Sequence, residues 1–226
     1  MSAILSVATP EAVYLLTDGA TYDRDGVVHS ISCKVTAART VPFVVATRGD
    51  KAQGDRFDAW ISEGADRFGI EDILAALSAK MPQWRKSEEF RAAVSGENMV
   101  EVTLAGWTEQ RGGFCLRFST EGDDAFEMVS LDLADYAGPF DGGDLSWIRM
   151  PEHGENPETW IRTQGLEMME HFRSHLGKSV AGWPQFYGIG GQCDLTTVTA
   201  EGAHTETLRT WPDVVGEKIN PDRKAA

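Results

Sequence analysis

Three residues near the start of the chain carry side chains that could act together in hydrolysis. Ser2, Asp18 and Lys34 are spaced at equal intervals of 16 residues. If Met1 is removed, the free α-amine of Ser2 has a pKa of about 8 and can act as a general base toward its own hydroxyl. A lysine ammonium within about 4–6 Å lowers the pKa of neighbouring amines and hydroxyls, and an aspartate holds that ammonium in place. The spacing therefore indicates an N-terminal serine nucleophile.

Gly49 is a candidate for a further part of such a site, the donor to the oxyanion that forms when a carbonyl is attacked. It stands where a strand predicted over residues 41–48 meets a predicted helix. Backbone N–H groups at a helix start are electropositive and can hold a developing negative charge. Our candidate catalytic residues are thus Ser2, Asp18, Lys34 and Gly49.

Each candidate also has an ordinary structural interpretation. Ser2 could be a residue at the frayed start of the first strand, and Asp18 could bond to the turn at Gly19. Lys34 could be a solubilising charge on an edge strand, and Gly49 a plain turn between strand and helix. A buried Asp–Lys pair is costly unless the two charges meet, so the distance between them distinguishes the two interpretations.

A family resemblance runs through five stretches of the chain. It is carried at the start by SVATPEAVYLLTDGATYD, SISCKV and VVATRGD, and later by VTLAGWTEQRGGFCLRFSTEGD and GIGGQCDLTTVTAEG. These stretches resemble the β-subunits of the proteasome and their bacterial relatives. The resemblance implies that Ser2, Asp18, Lys34 and Gly49 match the family's terminal Thr or Ser, its Asp, its Lys and its Gly. It also implies an amidohydrolase or peptidase of the serine or threonine type that forms homo-oligomers.

One part of the family pattern is missing. Before the last hairpin the family has an Asp, two further residues, a Ser and two glycines, and the Asp and Ser support the terminal amine. The matching positions here are Phe186 and Ile189, followed by Gly190 and Gly191. Apolar surroundings disfavour the charged form of an amine. Two functions therefore stay open: a slow or narrowly specific hydrolase, and a non-catalytic scaffold or assembly subunit of a larger particle such as a phage.

The order of elements predicts an α+β fold, a four-layer αββα sandwich of two antiparallel sheets. Apolar runs and alternation indicate strands over residues 3–8, 12–18, 27–31, 33–38, 42–47, 100–107, 114–118, 126–133, 186–199 and 204–211. Residues 136–154 are rich in Gly, Asp and Pro and are expected to form a loop.

Helical spacing predicts three helices. The first follows Gly49 and ends at Gly69, with an inner face made of Phe57, Trp60, Ile61, Ala65 and Phe68. The second starts near residue 71 and is expected to end at Pro82, and residues 83–97 are left open between helix and loop. The third starts at Asn156 and Pro157 and stops at Gly177, with an inner face made of Ile161, Met168, Phe172 and Leu176.

The chain of 226 residues fits one domain over residues 1–212, followed by a polar tail at 213–226 that we expect to be mobile. A net charge of −14 argues against nucleic acid and against anionic membrane surfaces as partners. No apolar run is long enough to span a bilayer. The expected partners are a peptide or small amide substrate and further copies of the chain.

The cysteines and histidines predict neither a disulfide frame nor a metal site. Cys33, Cys115 and Cys193 are odd in number and far apart, and no signal peptide is visible, so we expect reduced thiols in the cytoplasm. His171 and His175 share a predicted helix face, but no acidic partner stands at a signature spacing. We expect no metal and no cofactor.

Overall fold

The computed structural model describes residues 2–131, 134–137, 151–152, 154–177 and 184–224, with only the backbone described for residues 134–137. In these ranges two five-stranded antiparallel sheets lie face to face, and helices cover the outer face of each sheet. This confirms the predicted αββα sandwich. No helix in the same ranges is long and apolar enough to cross a membrane.

The strands fall into two large sheets and one small one. In chain order they are β1 (Ile4–Ala8), β2 (Ala12–Asp18), β3 (Ala20–Tyr22), β4 (Val28–Ile31), β5 (Val35–Ala37), β6 (Phe43–Gly49), β7 (Val100–Thr108), β8 (Gly112–Ser119), β9 (Val129–Ser130), β10 (Ala134–Ala137), β11 (Gln192–Thr199) and β12 (Gly202–Thr210). The first sheet has the order β10-β1-β2-β11-β12 and the second has the order β5-β6-β7-β8-β9, while β3 and β4 pair separately.

The helices divide between the two outer faces. They are α1 (Lys51–Phe68), α2 (Ile70–Lys86), α3 (Glu88–Ala93), α4 (Pro157–Trp160) and α5 (Leu166–Arg173). A π-helical stretch, Ile161–Gly165, joins α4 to α5, and a 3-10 turn at Gly96–Asn98 precedes β7. The first two helices pack on the second sheet, and the α4–α5 segment packs on the first.

Strand alternation divides the core into three layers. In β6, Val45 packs with the residues of α1 and α2, whereas its neighbour Val44 packs with the first sheet. In β2, Leu16 packs with the α4–α5 segment, whereas Val13 and Leu15 pack with the second sheet. Because successive side chains of a strand point to opposite faces, a strand buried on both sides needs a continuous apolar run.

Helix α2 continues past Pro82 to Lys86, so the prediction that this proline ends the helix is wrong. Packing of the last turn explains the difference. The Trp84 ring stacks on Phe90 with centroids 5.1 Å apart and meets Phe57 edge-on at 6.0 Å. These contacts outweigh the one helical hydrogen bond that a proline removes.

Helix α1 has the predicted ends but a narrower buried face. Asp50 caps its start by accepting a hydrogen bond from the Gln53 N–H over 2.8 Å, and Gly69 ends it with a φ of +93°. Trp60 and Phe68 are exposed, so their predicted place on the inner face is wrong. They lie beyond the edge of the apolar stripe that contacts the sheet.

Two predictions around residues 126–154 need correction. The predicted strand over 126–133 shrinks to Val129–Ser130, because Phe126 adopts a left-handed φ of +62° that breaks the extended chain. Residues 132–133 lie outside the described part. The predicted loop over 136–154 overlaps β10, in which Tyr136 pairs with Leu5 of β1. Residues 151, 152 and 154 lie outside helices and strands, as the prediction has it, and residues 138–150 and 153 fall outside the described residues.

The α4–α5 segment starts as predicted but ends early. Asn156 caps it by accepting a hydrogen bond from the Thr159 N–H over 2.9 Å. The helix ends at Arg173, and Leu176 is half exposed, so the predicted end at Gly177 and the inward place of Leu176 are wrong.

The chain beyond residue 212 is attached to the body, and the expectation of a mobile tail is wrong for residues 213–224. Asp213 accepts a hydrogen bond over 2.7 Å from Arg173, in an ion pair that is almost fully buried. Ile219 is buried, and the Glu217 carbonyl accepts a hydrogen bond from the Val28 N–H. The domain boundary at residue 212 stays a prediction.

Candidate active site

Ser2 and Asp18 come together because β1 and β2 form a hairpin. The register pairs Ile4 with Thr17, so the residue after β2's Thr17 lies beside the residues that precede β1. The Ala3 N–H donates to Asp18 Oδ1 over 3.1 Å. Both Ser2 and Asp18 are buried.

Lys34 reaches the same point from the connection between β4 and β5. Its Nζ donates to Ser2 Oγ and to Asp18 Oδ2, each over 2.9 Å. The Asp18 side chain is 0% exposed and that of Lys34 is 14% exposed. The expected meeting of Asp18 and Lys34 beside Ser2 is confirmed, and a solvent-facing charge on an edge strand is the wrong description of Lys34. The catalytic roles of these residues stay a prediction.

Gly49 ends β6 with a φ of +113°, and a Cβ at this position would lie 2.1 Å from the Met99 carbonyl oxygen. The positive φ and the lack of room for a Cβ are sufficient to explain why a glycine stands here. Asp50 then caps α1, as described above. The role of Gly49 as an oxyanion donor stays a prediction.

Arg48 is a neighbour of the site that the sequence did not single out. Its guanidinium lies 3.5 Å from the Ser2 carbonyl oxygen, at the outer limit of a hydrogen bond. The Glu101 carboxylate accepts from it at 2.8 and 3.2 Å and so fixes its orientation. The only signal in the sequence was its place next to Gly49, within the stretch that resembles the family.

Tyr22, at the end of β3, is a second neighbour that sequence reasoning missed. Its hydroxyl oxygen is buried and has no hydrogen-bond partner among the described residues. Burial raises the pKa of Tyr22 well above its ordinary value, and the Asp18 carboxylate raises it further. Arg48 and the Ser2 hydroxyl act in the opposite direction and lower that pKa. The effect of Ser2 on this pKa is that of a nearby hydrogen-bonding hydroxyl, whereas by distance and angle the Tyr22 oxygen has no partner among the described residues, so the two hydroxyls lie close together without a well-formed hydrogen bond.

The segment that departs from the family pattern is apolar, and it packs against the site. Phe186 and Ile189 are both buried, and the Phe186 ring meets the Tyr22 ring edge-on with centroids 4.9 Å apart. The Gly190 carbonyl accepts hydrogen bonds from the N–H groups at the start of β3. Because these hydrogen bonds hold the chain at Gly190, strand β11 begins only at Gln192. The predicted start of this strand at residue 186 is wrong.

The arrangement is suited to nucleophilic attack by Ser2 Oγ. A Lys34 ammonium that donates to Oγ stabilises the negative charge that develops there. Asp18 balances the lysine and is itself held by the Ala3 N–H. No group of three or more His, Cys, Asp or Glu among the described residues is placed to hold a metal ion.

Comparisons with known proteins establish the fold. No protein-family model matches the sequence, and no curated protein matches it significantly. The structure is similar to that of Anbu (ancestral beta-subunit) from Yersinia bercovieri, with a TM-score of 0.65, 12% identity and coverage of 91% of this chain and 87% of that chain. The chain therefore has a proteasome-like fold.

Proposed function

We propose that this protein is an N-terminal-nucleophile hydrolase that cleaves an amide or peptide bond through an ester on Ser2. The observation that carries the proposal is the position of Lys34, whose Nζ lies 2.9 Å from both Ser2 Oγ and Asp18 Oδ2. A buried carboxylate and a mostly buried ammonium directed at a serine hydroxyl suit a nucleophile better than a surface turn. The proteasome-like fold supports the same class.

The reaction requires Ser2 to be the first residue. Its α-amine takes the hydroxyl proton while Oγ attacks the substrate carbonyl carbon. The Lys34 ammonium stabilises the negative charge that develops on Oγ, and the Gly49 N–H is the proposed donor to the oxyanion. The protonated amine then gives its proton to the departing amine as the C–N bond breaks. Water, activated by the same amine, hydrolyses the ester and restores Ser2.

The test uses an electrophilic amide or ester probe that acylates terminal hydroxyls, with mass spectrometry to locate the adduct. We expect labelling of wild type at Ser2, none at that position in Ser2→Ala, and at least about a 100-fold slower rate in Lys34→Ala, because the loss of one preorganised donor to a developing negative charge costs about 10²–10³ in rate. Ser6→Ala is the matched control, since Ser6 is a buried serine on β1, and the hydrogen bonds described for Lys34 go to Ser2 and Asp18. A correctly processed, folded protein that several probe types leave unlabelled contradicts the proposal.

A second candidate is a non-catalytic scaffold or assembly subunit, for which two observations speak. Phe186 and Ile189 replace the polar pair of the family pattern, and α1 exposes Trp60 and Phe68 on its outer surface. If the protein is such a subunit, Ser2→Ala keeps its biological role intact.

In either function we propose a homo-oligomer, and the similar structure is itself named as a subunit. The net charge of −14 must then be kept away from the contact surface or be paired there. Light scattering over a wide range of concentration and salt should show an oligomer, and a monomer throughout contradicts this. We further propose a cytoplasmic location, because Cys33, Cys115 and Cys193 are free thiols.

A further inference from the structure

Tyr22 holds a buried hydroxyl that the proposed reaction does not yet use. A buried hydroxyl without a hydrogen-bond partner is costly, and native structures rarely leave one unexplained. Its ring cannot easily turn away, because Phe186 packs edge-on against it. Phe186 is itself fitted against Gly26, where an added Cβ would lie 2.6 Å from the Phe186 ring. The phenol is thus held in place with its hydrogen-bonding capacity unused.

The immediate surroundings of Tyr22 belong to the site. The Ser2 hydroxyl, the Asp18 carboxylate and the Arg48 guanidinium all influence its ionisation. Burial keeps the phenol neutral, since it raises the pKa of Tyr22 well above the ordinary value. A neutral phenol retains lone pairs with which it can accept a hydrogen bond.

Removal of Met1 changes what Ser2 offers to its neighbours. The residue exchanges one amide N–H for an amine or ammonium group with two or three N–H donors. Both carboxylate oxygens of Asp18 already accept hydrogen bonds, from Ala3 and from Lys34. Phe186 and Ile189 have no side-chain acceptor. Thr17 Oγ1 and the Tyr22 oxygen are both buried without a hydrogen-bond partner among the described residues. Thr17 points to the face of β2 opposite to that of Asp18, so the Tyr22 oxygen, which interacts with the Ser2 hydroxyl, is the candidate acceptor.

We propose that Tyr22 is a positioning residue whose hydroxyl accepts a hydrogen bond from the Ser2 α-ammonium. It takes the role of the family's polar pair, whose two positions Phe186 and Ile189 occupy in this chain. The proposal rests on the proposed function, since it assumes a free α-amine at Ser2. It explains how a site that lacks the family's Asp and Ser can still orient that amine. The Phe186 ring then has a role in the site, because its packing against the Tyr22 ring keeps the phenol in position.

The first test measures the α-amine directly and requires no catalysis. Wild type, Tyr22→Phe and the control Tyr14→Phe are prepared with Ser2 as the first residue by cleavage of an N-terminal fusion. Trace acetylation with acetic anhydride across the pH range, read on the N-terminal peptide by mass spectrometry, gives the α-amine pKa. The Tyr22→Phe change keeps the ring against Phe186 and removes only the oxygen. Tyr14 is a partly buried tyrosine on β2 near Glu158 and Arg162, away from Ser2.

We expect the α-amine pKa to fall by about one unit in Tyr22→Phe, because a hydrogen bond to the charged form raises an amine pKa. We expect no change in Tyr14→Phe. A purely structural role of the Tyr22 ring leaves this pKa unchanged, so an equal or higher α-amine pKa in Tyr22→Phe overturns the proposal.

The second test measures the pH profile of Ser2 acylation in the same three proteins. We expect Tyr22→Phe to be labelled about 10-fold more slowly at the plateau, as part of the general-base contribution is lost, with its midpoint shifted to lower pH. Labelling of wild type at Ser2, with Tyr22→Phe equal in rate and midpoint, overturns the role of Tyr22 and leaves the hydrolase standing. A wild type that is not labelled, with the α-amine pKa still lowered in Tyr22→Phe, overturns the hydrolase and supports the Tyr22 contact.

Discussion

The Lys34–Asp18 pair should contribute far more to stability than a surface pair of the same residue types. Its Nζ–Oδ2 distance is 2.9 Å, and the side chains are 14% and 0% exposed. The Lys51–Asp55 pair on α1 has a nearly equal distance of 2.8 Å, but its side chains are 57% and 60% exposed. Burial is therefore the main variable between the two pairs.

The magnitude follows from what each substitution leaves behind. Lys34→Met leaves Asp18 buried with the Ala3 N–H but without a cation, and breaking a buried pair from one side costs about 3–5 kcal/mol. Because the Ala3 hydrogen bond remains, we expect about 3 kcal/mol. Asp18→Asn keeps the shape of the side chain and should cost about 2 kcal/mol, since Lys34 retains some access to water.

The two changes should not add. The double variant Asp18→Asn/Lys34→Met leaves no unpaired charge, so we expect a coupling of about 2 kcal/mol in a double-mutant cycle. The corresponding cycle on Lys51 and Asp55 should give about 0.3–0.5 kcal/mol. Urea unfolding of the four proteins in each cycle measures both couplings. A coupling at Asp18 and Lys34 no larger than that of the surface pair refutes the reasoning.

Two further predictions concern a residue of α1 and the glycine that ends β6. Burial above all raises the pKa of Asp58 to about 7, so the folded state holds a proton that the unfolded chain has released. Because of this proton, the free energy of unfolding should fall by up to about 4 kcal/mol between pH 4 and pH 8. Urea unfolding should show Asp58→Asn more stable than wild type at pH 8 and similar at pH 4, and parallel pH profiles contradict this. Gly49→Ala should cost about 1–2 kcal/mol more than Gly122→Ala, because both positions have positive φ but only at Gly49 would a Cβ strike another residue, at Met99. Thermal and urea unfolding compare the two, and equal losses contradict the expected clash.

The sequence was sufficient for the sandwich and for the meeting of three residues. Continuous apolar runs such as that of β2 indicated strands buried on both faces. The short turn before Ala12 determined the register of the β1–β2 hairpin. That register brings Asp18 beside Ser2. The charge of Lys34 then had a clear partner, because a buried carboxylate requires one.

Local signals failed where packing between distant residues decided the outcome. A proline such as Pro82 ordinarily ends a helix, but the stacking of Trp84 on Phe90 keeps the chain helical beyond it. Tyr22 stands in a stretch with turn residues, and nothing in the sequence shows that its hydroxyl is buried beside Ser2. Asp213 stands in a polar stretch, and its ion pair with Arg173 depends on a helix 40 residues away.

The measurement that tests the central claim most directly compares two forms of one chain, one that begins at Ser2 and one that retains Met1. Both keep Lys34 and Asp18, and only the first has a free α-amine on Ser2. Each is treated with the same electrophilic probe, and the adduct is located by mass spectrometry. We predict labelling of Ser2 in the form that begins with it and none in the form that retains Met1. Equal labelling of the two forms, or no labelling of either, contradicts an N-terminal serine nucleophile activated by its own amine.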